Sequence, residues 1–159
     1  MKPVQPARPA IDARTAPLHL IVNPRAGGRR GGADELTRQL TEALPPGTRR
    51  WHVHPPRSPA ELPALAARVV ARARSDGGVI VAAGGDGTLN TVVQALWEHP
   101  IPFGALPRGT FNFFGRQHGL PTDTDEALPH LLAAIEAGDM RPVQLGRIGD
   151  RIFLVNASL

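Results

Sequence analysis

The sequence predicts an α/β fold in which helices cover both faces of an open, mostly parallel β-sheet. Short apolar segments alternate along the chain with stretches of amphipathic helical spacing, in the order βαβαβαβα followed by a β-hairpin. Three of these segments end in glycine-containing loops, and right-handed crossovers place such loops together at the carboxyl edge of a parallel sheet. With 159 residues, of which 42% are hydrophobic, the chain is long enough to bury one core.

The composition limits the classes of partner. There is no cysteine, so disulfides and thiolate metal sites are excluded. The net charge is +4 and all but one of the 18 Lys and Arg residues are arginine, which favours nucleotide phosphates or acidic lipid surfaces. Aromatic residues make up only 4% of the chain and do not interleave with basic ones, which argues against nucleic acid. No apolar run approaches the roughly 20 residues of a membrane span, and the N-terminus lacks a signal-peptide core, so we expect a cytoplasmic protein.

The N-terminal segment precedes the first strand. Residues 1–17 are rich in Pro, Arg and Ala without periodicity, which predicts a disordered leader before an ordered domain over residues 18–159. Leu18–Val22 is predicted to be a strand, and the loop after it begins Asn23-Pro24-Arg25-Ala26-Gly27. The arginines and glycines of this loop make it flexible and positive. It is either a solvated loop or a loop that contacts phosphate.

The spacing of apolar residues and the positions of proline and glycine predict the next two helices and the strand between them. A helix is predicted over residues 33–44, ended by Pro45-Pro46-Gly47, and a second strand over residues 49–54 nearer the sheet edge. The pair His52 and His54 on that strand is interpreted as incidental rather than metal-binding. Ser58-Pro59-Ala60-Glu61 has the capping-box pattern, with Pro63 delaying or bending the first turn of the helix. The residues that this helix is predicted to bury are Leu62, Leu65, Ala66, Val69, Val70 and Ala73.

The central stretch, residues 78–96, is where chemistry is predicted. Val79–Ala83 is predicted to be a strand buried on both faces. After it, Gly84, Gly85 and Gly87 allow a tight turn and the close approach of the backbone to a ligand. From Leu89 the apolar residues have helical spacing, so a strand, a glycine turn and a helix N-terminus together favour an anion site. Asp86 and Thr88 add a carboxylate and a hydroxyl suited to a metal–phosphate group. A βα turn that binds nothing is the alternative, and neither a Walker loop nor the dinucleotide glycine pattern is present.

The last third of the chain repeats the strand-to-loop pattern. A strand over residues 101–106 leads into the loop Pro107–Arg116, whose Phe111, Phe113 and Phe114 are predicted to pack in the core. A helix is predicted from Asp123 to Ala137, followed by a hairpin of residues 143–148 and 151–155 around Gly149-Asp150.

Three motifs lie in the loops predicted at the carboxyl edge: Asn23-Pro24-Arg25-Ala26-Gly27, Gly84-Gly85-Asp86-Gly87-Thr88-Leu89-Asn90 and Pro107-Arg108-Gly109-Thr110-Phe111-Asn112. Together they resemble the diacylglycerol kinase catalytic-domain family. This family includes sphingosine kinases and bacterial lipid kinases, and its nucleotide domain shares the architecture of NAD kinases. The second motif is common to the wider superfamily, whereas the first and third favour the lipid-kinase branch. The resemblance spans residues 18–159.

The resemblance implies a kinase that uses ATP and Mg²⁺ to phosphorylate a lipid hydroxyl at the inner membrane surface. The residues implied to contact ATP are Asn23, Pro24, Arg25, Ala26, Gly27, Gly84, Gly85, Asp86, Gly87, Thr88, Leu89, Asn90, Thr91, Gly109 and Thr110, with Asp86 also in the metal–phosphate network. Phosphoryl transfer asks mainly for positioning and charge neutralisation, which glycine N–H groups, arginines and Mg²⁺ can supply.

The chain also departs from the family pattern. Thr91 stands where the family usually has Glu, Phe113 where many members have Asp, and His54-Pro55-Pro56-Arg57 lacks a Thr that often meets the nucleotide. The second, β-rich domain of the family is absent from this sequence, and the general base is expected in that domain, beyond Leu159. We therefore expect ATP or ADP binding but little or no turnover by this chain alone. A non-catalytic nucleotide-binding or regulatory module is the first alternative, and NAD phosphorylation is the second.

Overall fold

The computed structural model describes residues 11–24, 33–44, 47 and 50–154, and in them strands and helices alternate as far as the C-terminal hairpin. The elements, in chain order, are β1 (Leu18–Val22), α1 (Ala33–Ala43), β2 (Trp51–His54), α2 (Leu62–Asp76), β3 (Val79–Gly84), α3 (Asp86–Leu96), β4 (Phe103–Pro107), α4 (Phe113–Gln117), α5 (Thr124–Ala137), β5 (Gly146–Ile148) and β6 (Arg151–Phe153).

The main sheet has the strand order β2-β1-β3-β4, and all three pairs of neighbouring strands are parallel. Strands β5 and β6 form a separate antiparallel hairpin. This confirms the predicted fold class, including the position of β2 at the edge of the sheet and the hairpin after the last helix. Since β1 and β3 are the inner strands, every residue of both is buried.

The core consists of two layers, one on each face of the sheet. Alternate residues of β1 divide between the layers: Leu18, Leu20 and Val22 pack with α1 and α5, whereas Ile21 packs with α2 and α3. This alternation follows from the period-2 geometry of a strand. The six residues that α2 was expected to bury are all buried in the second layer. The helices therefore cover both faces, as the sequence predicts.

The start of α2 differs in detail from the predicted capping box. Residues Pro59–Glu61 form a 3-10 turn, and the α-helix proper begins only at Leu62, in line with the expected effect of Pro63. The Ser58 hydroxyl makes no capping hydrogen bond. The carboxylate of Glu61 accepts the backbone N–H of Arg57 at 2.7 Å, whereas a capping box would use the N–H of Ser58, one residue later. The 3-10 turn accounts for this shift because its tighter winding changes which N–H faces the carboxylate.

Helix α3 begins at Asp86, three residues before Leu89, where the apolar helical spacing of the sequence begins. Gly85 is the residue before the helix and has an extended backbone, with φ −80° and ψ 178°. Asp86, Gly87 and Thr88 thus form the first helical turn rather than a loop. An acidic residue at this position is favourable because the N-terminal end of a helix carries a partial positive charge.

The loop after β4 contains the short helix α4, which the sequence pattern does not predict. Of the three phenylalanines expected in the core, only Phe114 is buried, while Phe111 and Phe113 are 64% and 49% exposed. Asn112 has a left-handed backbone, with φ 49° and ψ 47°, immediately before the helix. This turn points Phe114 into the core layer under α3 and leaves the other two rings outside, so the prediction for Phe111 and Phe113 is wrong.

Residues 11–17, which the sequence predicts to be part of a disordered leader, are ordered, whereas residues 1–10 lie outside the described residues. Residues 11–17 form a turn in which the backbone N–H groups of Thr15 and Ala16 donate to the carbonyl of Asp12. Ala13 and Ala16 are buried in the first core layer, so this segment belongs to the domain. Within the described part of the chain, none of the helices combines the length and the hydropathy needed to span a bilayer.

Candidate functional site

The loops after β1, β3 and β4 meet at the carboxyl edge of the sheet, as the predicted topology requires. The backbone N–H of Asn23 donates to the carbonyl of Ala83 at 2.9 Å, and the N–H of Arg108 donates to the carbonyl of Gly84 at 2.8 Å. Each flanking loop is therefore tied to the end of the central strand β3. The three predicted site segments form one continuous surface in the residues that the structure describes.

The contact between these loops requires glycine at positions 85 and 109. A Cβ on Gly109 would lie 2.6 Å from the Cα of Gly85, and a Cβ on Gly85 would lie 3.3 Å from the Cα of Gly109. Gly84 is constrained separately, because a Cβ there would lie 2.6 Å from the side chain of Thr88. None of these glycines has a positive φ, so they are needed for close packing rather than for an unusual backbone.

Gly87 is different, because no internal contact requires it to be glycine. A Cβ at this position would have no atom within 4 Å. The residue lies in the first turn of α3, where the N–H groups of Asp86, Gly87 and Thr88 have no partner within the helix. Open space thus lies next to unsatisfied donors at the positive end of a helix. This is the geometry of an anion site.

The side chains of Asn23 and Thr88 join the first loop to helix α3. The Asn23 amide donates to the Thr88 hydroxyl oxygen at 3.0 Å, and Thr88 is buried. The Thr88 hydroxyl can still donate one hydrogen bond of its own. The contact fixes the end of β1 beside the first turn of α3, where the predicted anion would lie.

Asn112 organises the third loop, although the predicted site residues do not include it. Its side-chain oxygen accepts the N–H of Gly109 at 2.7 Å, and its amide donates to the Gly109 carbonyl at 2.8 Å. The residue is buried and is the only non-glycine with positive φ among the described residues. Asparagine tolerates this conformation better than most residues, which is the signal in the sequence that could have identified it.

Asp86 has a structural role that the sequence does not predict. Its two carboxylate oxygens accept the backbone N–H groups of Phe113 and Phe114 at 3.0 and 3.1 Å. These donors are the first two N–H groups of α4, so Asp86 caps one helix from the first turn of another. Each oxygen retains a further lone-pair direction for another partner.

The remaining predicted residues are distributed unevenly around this surface. Pro24, Gly87 and Thr110 are exposed, whereas the Leu89 side chain is buried and its N–H donates to the Gly85 carbonyl. Asn90 is directed away, because its side-chain oxygen accepts the N–H of Leu154 at 3.1 Å. The Thr91 hydroxyl donates to the Gly87 carbonyl of its own helix at 2.9 Å. The predicted residues Arg25, Ala26 and Gly27 lie outside the described residues.

The side chains at this surface suit a cation that is bound together with phosphate better than a metal ion held by protein ligands alone. Among the described residues no group of three or more His, Asp, Glu or Cys side chains is placed to hold a metal. Mg²⁺ commonly takes only one or two protein carboxylates and completes its shell with phosphate oxygens and water. The free lone pairs of Asp86 are compatible with such a shared site. Nearby, burial lowers the pKa of the half-buried Arg108, an effect that the Glu35 carboxylate opposes.

Comparison with known proteins agrees with this architecture. The sequence model of the diacylglycerol kinase catalytic domain family matches residues 17–148 of this chain. Diacylglycerol kinase of Staphylococcus saprophyticus is 41% identical over 78 residues, which are 48% of this chain and 24% of that protein. Diacylglycerol kinase of Staphylococcus carnosus is 40% identical over a segment with the same coverage. The match thus spans about a quarter of the length of these relatives.

A solved structure extends the likeness to the fold. The crystal structure of a diacylglycerol kinase from Bacillus anthracis superimposes with a TM-score of 0.63 at 25% identity, over 91% of this chain and 46% of that one. The family model covers most of the present sequence, including all three loops at the carboxyl edge. The chain belongs to the diacylglycerol kinase catalytic domain family.

Proposed function

We propose that this chain forms the nucleotide-binding part of a lipid kinase, which transfers the γ-phosphate of ATP to the hydroxyl of a diacylglycerol-like lipid. The observation that carries the proposal is the open N-terminal turn of α3, where three N–H groups lack helical partners and Gly87 faces empty space. In this family such a turn is best explained as the cradle of the triphosphate.

The residues around the turn have distinct proposed roles. The N–H groups of Asp86, Gly87 and Thr88 would bind phosphate oxygens, and Asn23 would keep the Thr88 hydroxyl in place. Gly85 and Gly109 would bring the two loops close enough to share one ligand. Mg²⁺ bound with ATP would neutralise phosphate charge beside Asp86. The lipid acceptor would be met at the inner membrane surface, which places the protein in the cytoplasm with peripheral contact to the bilayer.

The experiment that tests the cradle is calorimetric titration of ATP with Mg²⁺ into the full chain and a Gly87→Asp variant. An added carboxylate next to the triphosphate should weaken ATP binding at least about tenfold through like-charge repulsion. The same carboxylate should leave folding intact, because it lies in the first turn of a helix. Unchanged ATP affinity in this variant, or no binding by the unmodified chain, would contradict the proposed cradle.

Ala64→Asp is the matched control for Gly87→Asp. Ala64 is exposed in the first turn of α2, so the substitution adds the same charge in the first turn of a different helix. We expect this variant to bind ATP as the unmodified chain does. Comparable losses in both variants would mean that net charge, rather than the cradle at α3, controls the affinity.

A non-catalytic nucleotide-binding module is the second candidate, and the geometry of Asp86 favours it. Both of its oxygens already cap α4, and the described parts of the three loops contain no other carboxylate. Asp86→Ala separates the two functions: a kinase domain should lose the Mg²⁺ dependence of its ATP affinity, whereas a module without a metal role should keep it. Incubation with radiolabelled ATP and either diacylglycerol vesicles or NAD tests for transfer. We expect little or no turnover from this chain alone, and clear labelling of either acceptor would contradict that expectation.

A further inference from the structure

Two exposed aromatic rings lie beside the candidate site. The rings of Phe111 and Phe113 stack with centroids 5.6 Å apart and planes within 9° of parallel. Both rings are among the most exposed large hydrophobic side chains of the described residues. We call this pair the aromatic ridge. Single exposed apolar residues are ordinary, but two stacked rings at the rim of a site form a continuous apolar surface.

The aromatic ridge is held rigidly in its exposed position. Asn112, between the two phenylalanines, is buried and bonded through its side chain to both backbone groups of Gly109. Asp86 accepts the backbone N–H of Phe113 itself at 3.0 Å. The ridge therefore cannot fold into the core without breaking three hydrogen bonds. Its exposure is built into the loop.

The surroundings of the ridge combine apolar and positive character. Arg116 follows Phe113 by three residues in α4, which places the two side chains on the same side of the helix, and Arg116 is exposed. The backbone contact to Asp86 fixes the ridge within one hydrogen bond of the first residue of α3. An apolar ridge with an adjacent arginine has the chemistry of a surface that meets the boundary between anionic headgroups and acyl chains.

We propose that the aromatic ridge is the element through which this domain contacts an anionic lipid bilayer next to its phosphate site. This inference rests on the proposed lipid-kinase function and adds the surface that delivers the acceptor. A bilayer is favoured over a nucleobase because the rings project outward, whereas nucleobases are bound in concave pockets that cover most of the ligand. Insertion of both rings would bring the lipid hydroxyls to the level of the α3 N-terminus.

Vesicle sedimentation with the full chain tests the ridge. Vesicles of phosphatidylglycerol mixed with phosphatidylcholine are compared with vesicles of phosphatidylcholine alone. The double substitution Phe111→Ala with Phe113→Ala should weaken binding to the mixed vesicles about tenfold or more, given the apolar area that the rings bury on insertion. Met140→Ala with Ile148→Ala is the matched control, because these side chains are also exposed, at 47% each, but lie outside the loop after β4. The control should bind as the unmodified chain does.

Parallel measurements keep the outcomes distinct. ATP titration of the double variant should give the affinity of the unmodified chain, and its Tm should shift by no more than about 2 °C, as expected for exposed positions. If the double variant unfolds, the single variant Phe111→Ala, in the loop before α4, replaces it in the vesicle-binding assay. Equal vesicle binding with and without the rings, or no vesicle binding at all, would overturn the inference. Loss of ATP affinity with vesicle binding intact would also overturn it, since the rings would then meet the nucleotide.

A second vesicle-binding experiment tests the positive charge beside the aromatic ridge. Arg116→Gln should weaken binding to phosphatidylglycerol vesicles about fivefold, the effect expected for one arginine near an anionic surface, without changing binding to phosphatidylcholine. Arg74→Gln is the control because Arg74 is an exposed residue in the last turn of α2, at the opposite edge of the sheet. Equal effects of the two substitutions would contradict a local contact at α4. The ATP affinity of these variants reports separately on the proposed function.

Discussion

Gly85 and Gly109 approach each other so closely that a Cβ on Gly109 would lie 2.6 Å from the Cα of Gly85. The N–H of Arg108, next to Gly109, donates to the carbonyl of Gly84, next to Gly85. The loops after β3 and β4 are therefore in backbone contact, with no room for a side chain between them. Gly85 and Gly109 are therefore needed to assemble the site before any ligand is bound.

The first prediction concerns the stability cost of filling this contact. Gly109→Ala should lower the free energy of unfolding by about 1–3 kcal/mol, because the new methyl group overlaps the Gly85 backbone, which cannot yield without moving β3. Gly85→Ala should cost less, because its Cβ would meet Gly109 at 3.3 Å. Gly87→Ala is the control and should be neutral or stabilising by up to about 1 kcal/mol. Urea unfolding measures all three, and equal stabilities for the first and third variants would contradict the steric account.

How far the sequence determines these features depends on the range of the contacts. The buried face of α2 and the convergence of three loops are predictable, because they follow from helical spacing and from the topology of parallel strands. The capping of α4 by Asp86 is not, because it joins residues 27 positions apart in different elements. The exposure of Phe111 and Phe113 is also not predictable from the sequence. Hydrophobicity alone does not indicate the left-handed turn at Asn112, which directs only Phe114 into the core.

The second prediction separates the two contributions of Asn112. Asn112→Gly keeps access to the left-handed backbone but loses both hydrogen bonds to Gly109, which should cost about 1–3 kcal/mol. Asn112→Ala loses the same bonds and adds backbone strain of about 1–2 kcal/mol, so it should be the less stable variant. Thermal or urea unfolding gives the order. A glycine variant less stable than the alanine variant would show that the positive φ is not a constraint in the folded protein.

A cluster of histidines lies on the neighbouring strands β1 and β2. His19 is fully buried, and its ring stacks on those of His52 and His54 with centroids 5.2 and 5.6 Å away. Its Nε2 lies 3.0 Å from the carboxylate of Asp76. The Nδ1 of His19 also lies 3.3 Å from the Nε2 of His54, within hydrogen-bonding distance. Burial lowers the pKa of His54 to about 4, with further contributions from His19 and Arg72.

The third prediction is that the protein loses stability in mild acid because of this cluster. The unfolded His54 has a pKa near 6.5, so between pH 6.5 and about 4 the unfolded state binds more protons than the folded state. The contribution of His54 is therefore fully present above pH 6.5 and falls as the pH drops towards 4. Because the ring is only half-buried, we expect a loss on the order of 1–2 kcal/mol.

Urea unfolding of the unmodified chain and of His54→Gln across this pH range measures the effect. The variant should have a flatter dependence of stability on pH, since glutamine does not titrate. His130→Gln is the control, because His130 is an exposed residue of α5. An unchanged slope in the His54 variant would mean that other groups account for the acid sensitivity.

The fourth prediction concerns the attachment of the hairpin to α3. The backbone N–H of Ile152 donates to the Gln94 side-chain oxygen at 2.8 Å, and the N–H of Leu154 donates to that of Asn90 at 3.1 Å. Replacing both amide side chains with alanine removes both acceptors. Amide hydrogen exchange at Ile152 and Leu154 should then accelerate by about 10- to 100-fold, the equivalent of roughly 1 kcal/mol for each bond.

Thr91→Ala is the control for this loosening. Thr91 lies between the two amide residues on α3, but its hydroxyl bonds to the Gly87 carbonyl of its own helix. Exchange at the two hairpin amides should not change in this variant. If the double alanine variant also leaves the exchange unchanged, the hairpin is held by apolar contacts alone, such as the packing of Leu154 against the second core layer. Faster exchange would instead identify Asn90 and Gln94 as the groups that join α3 to the hairpin.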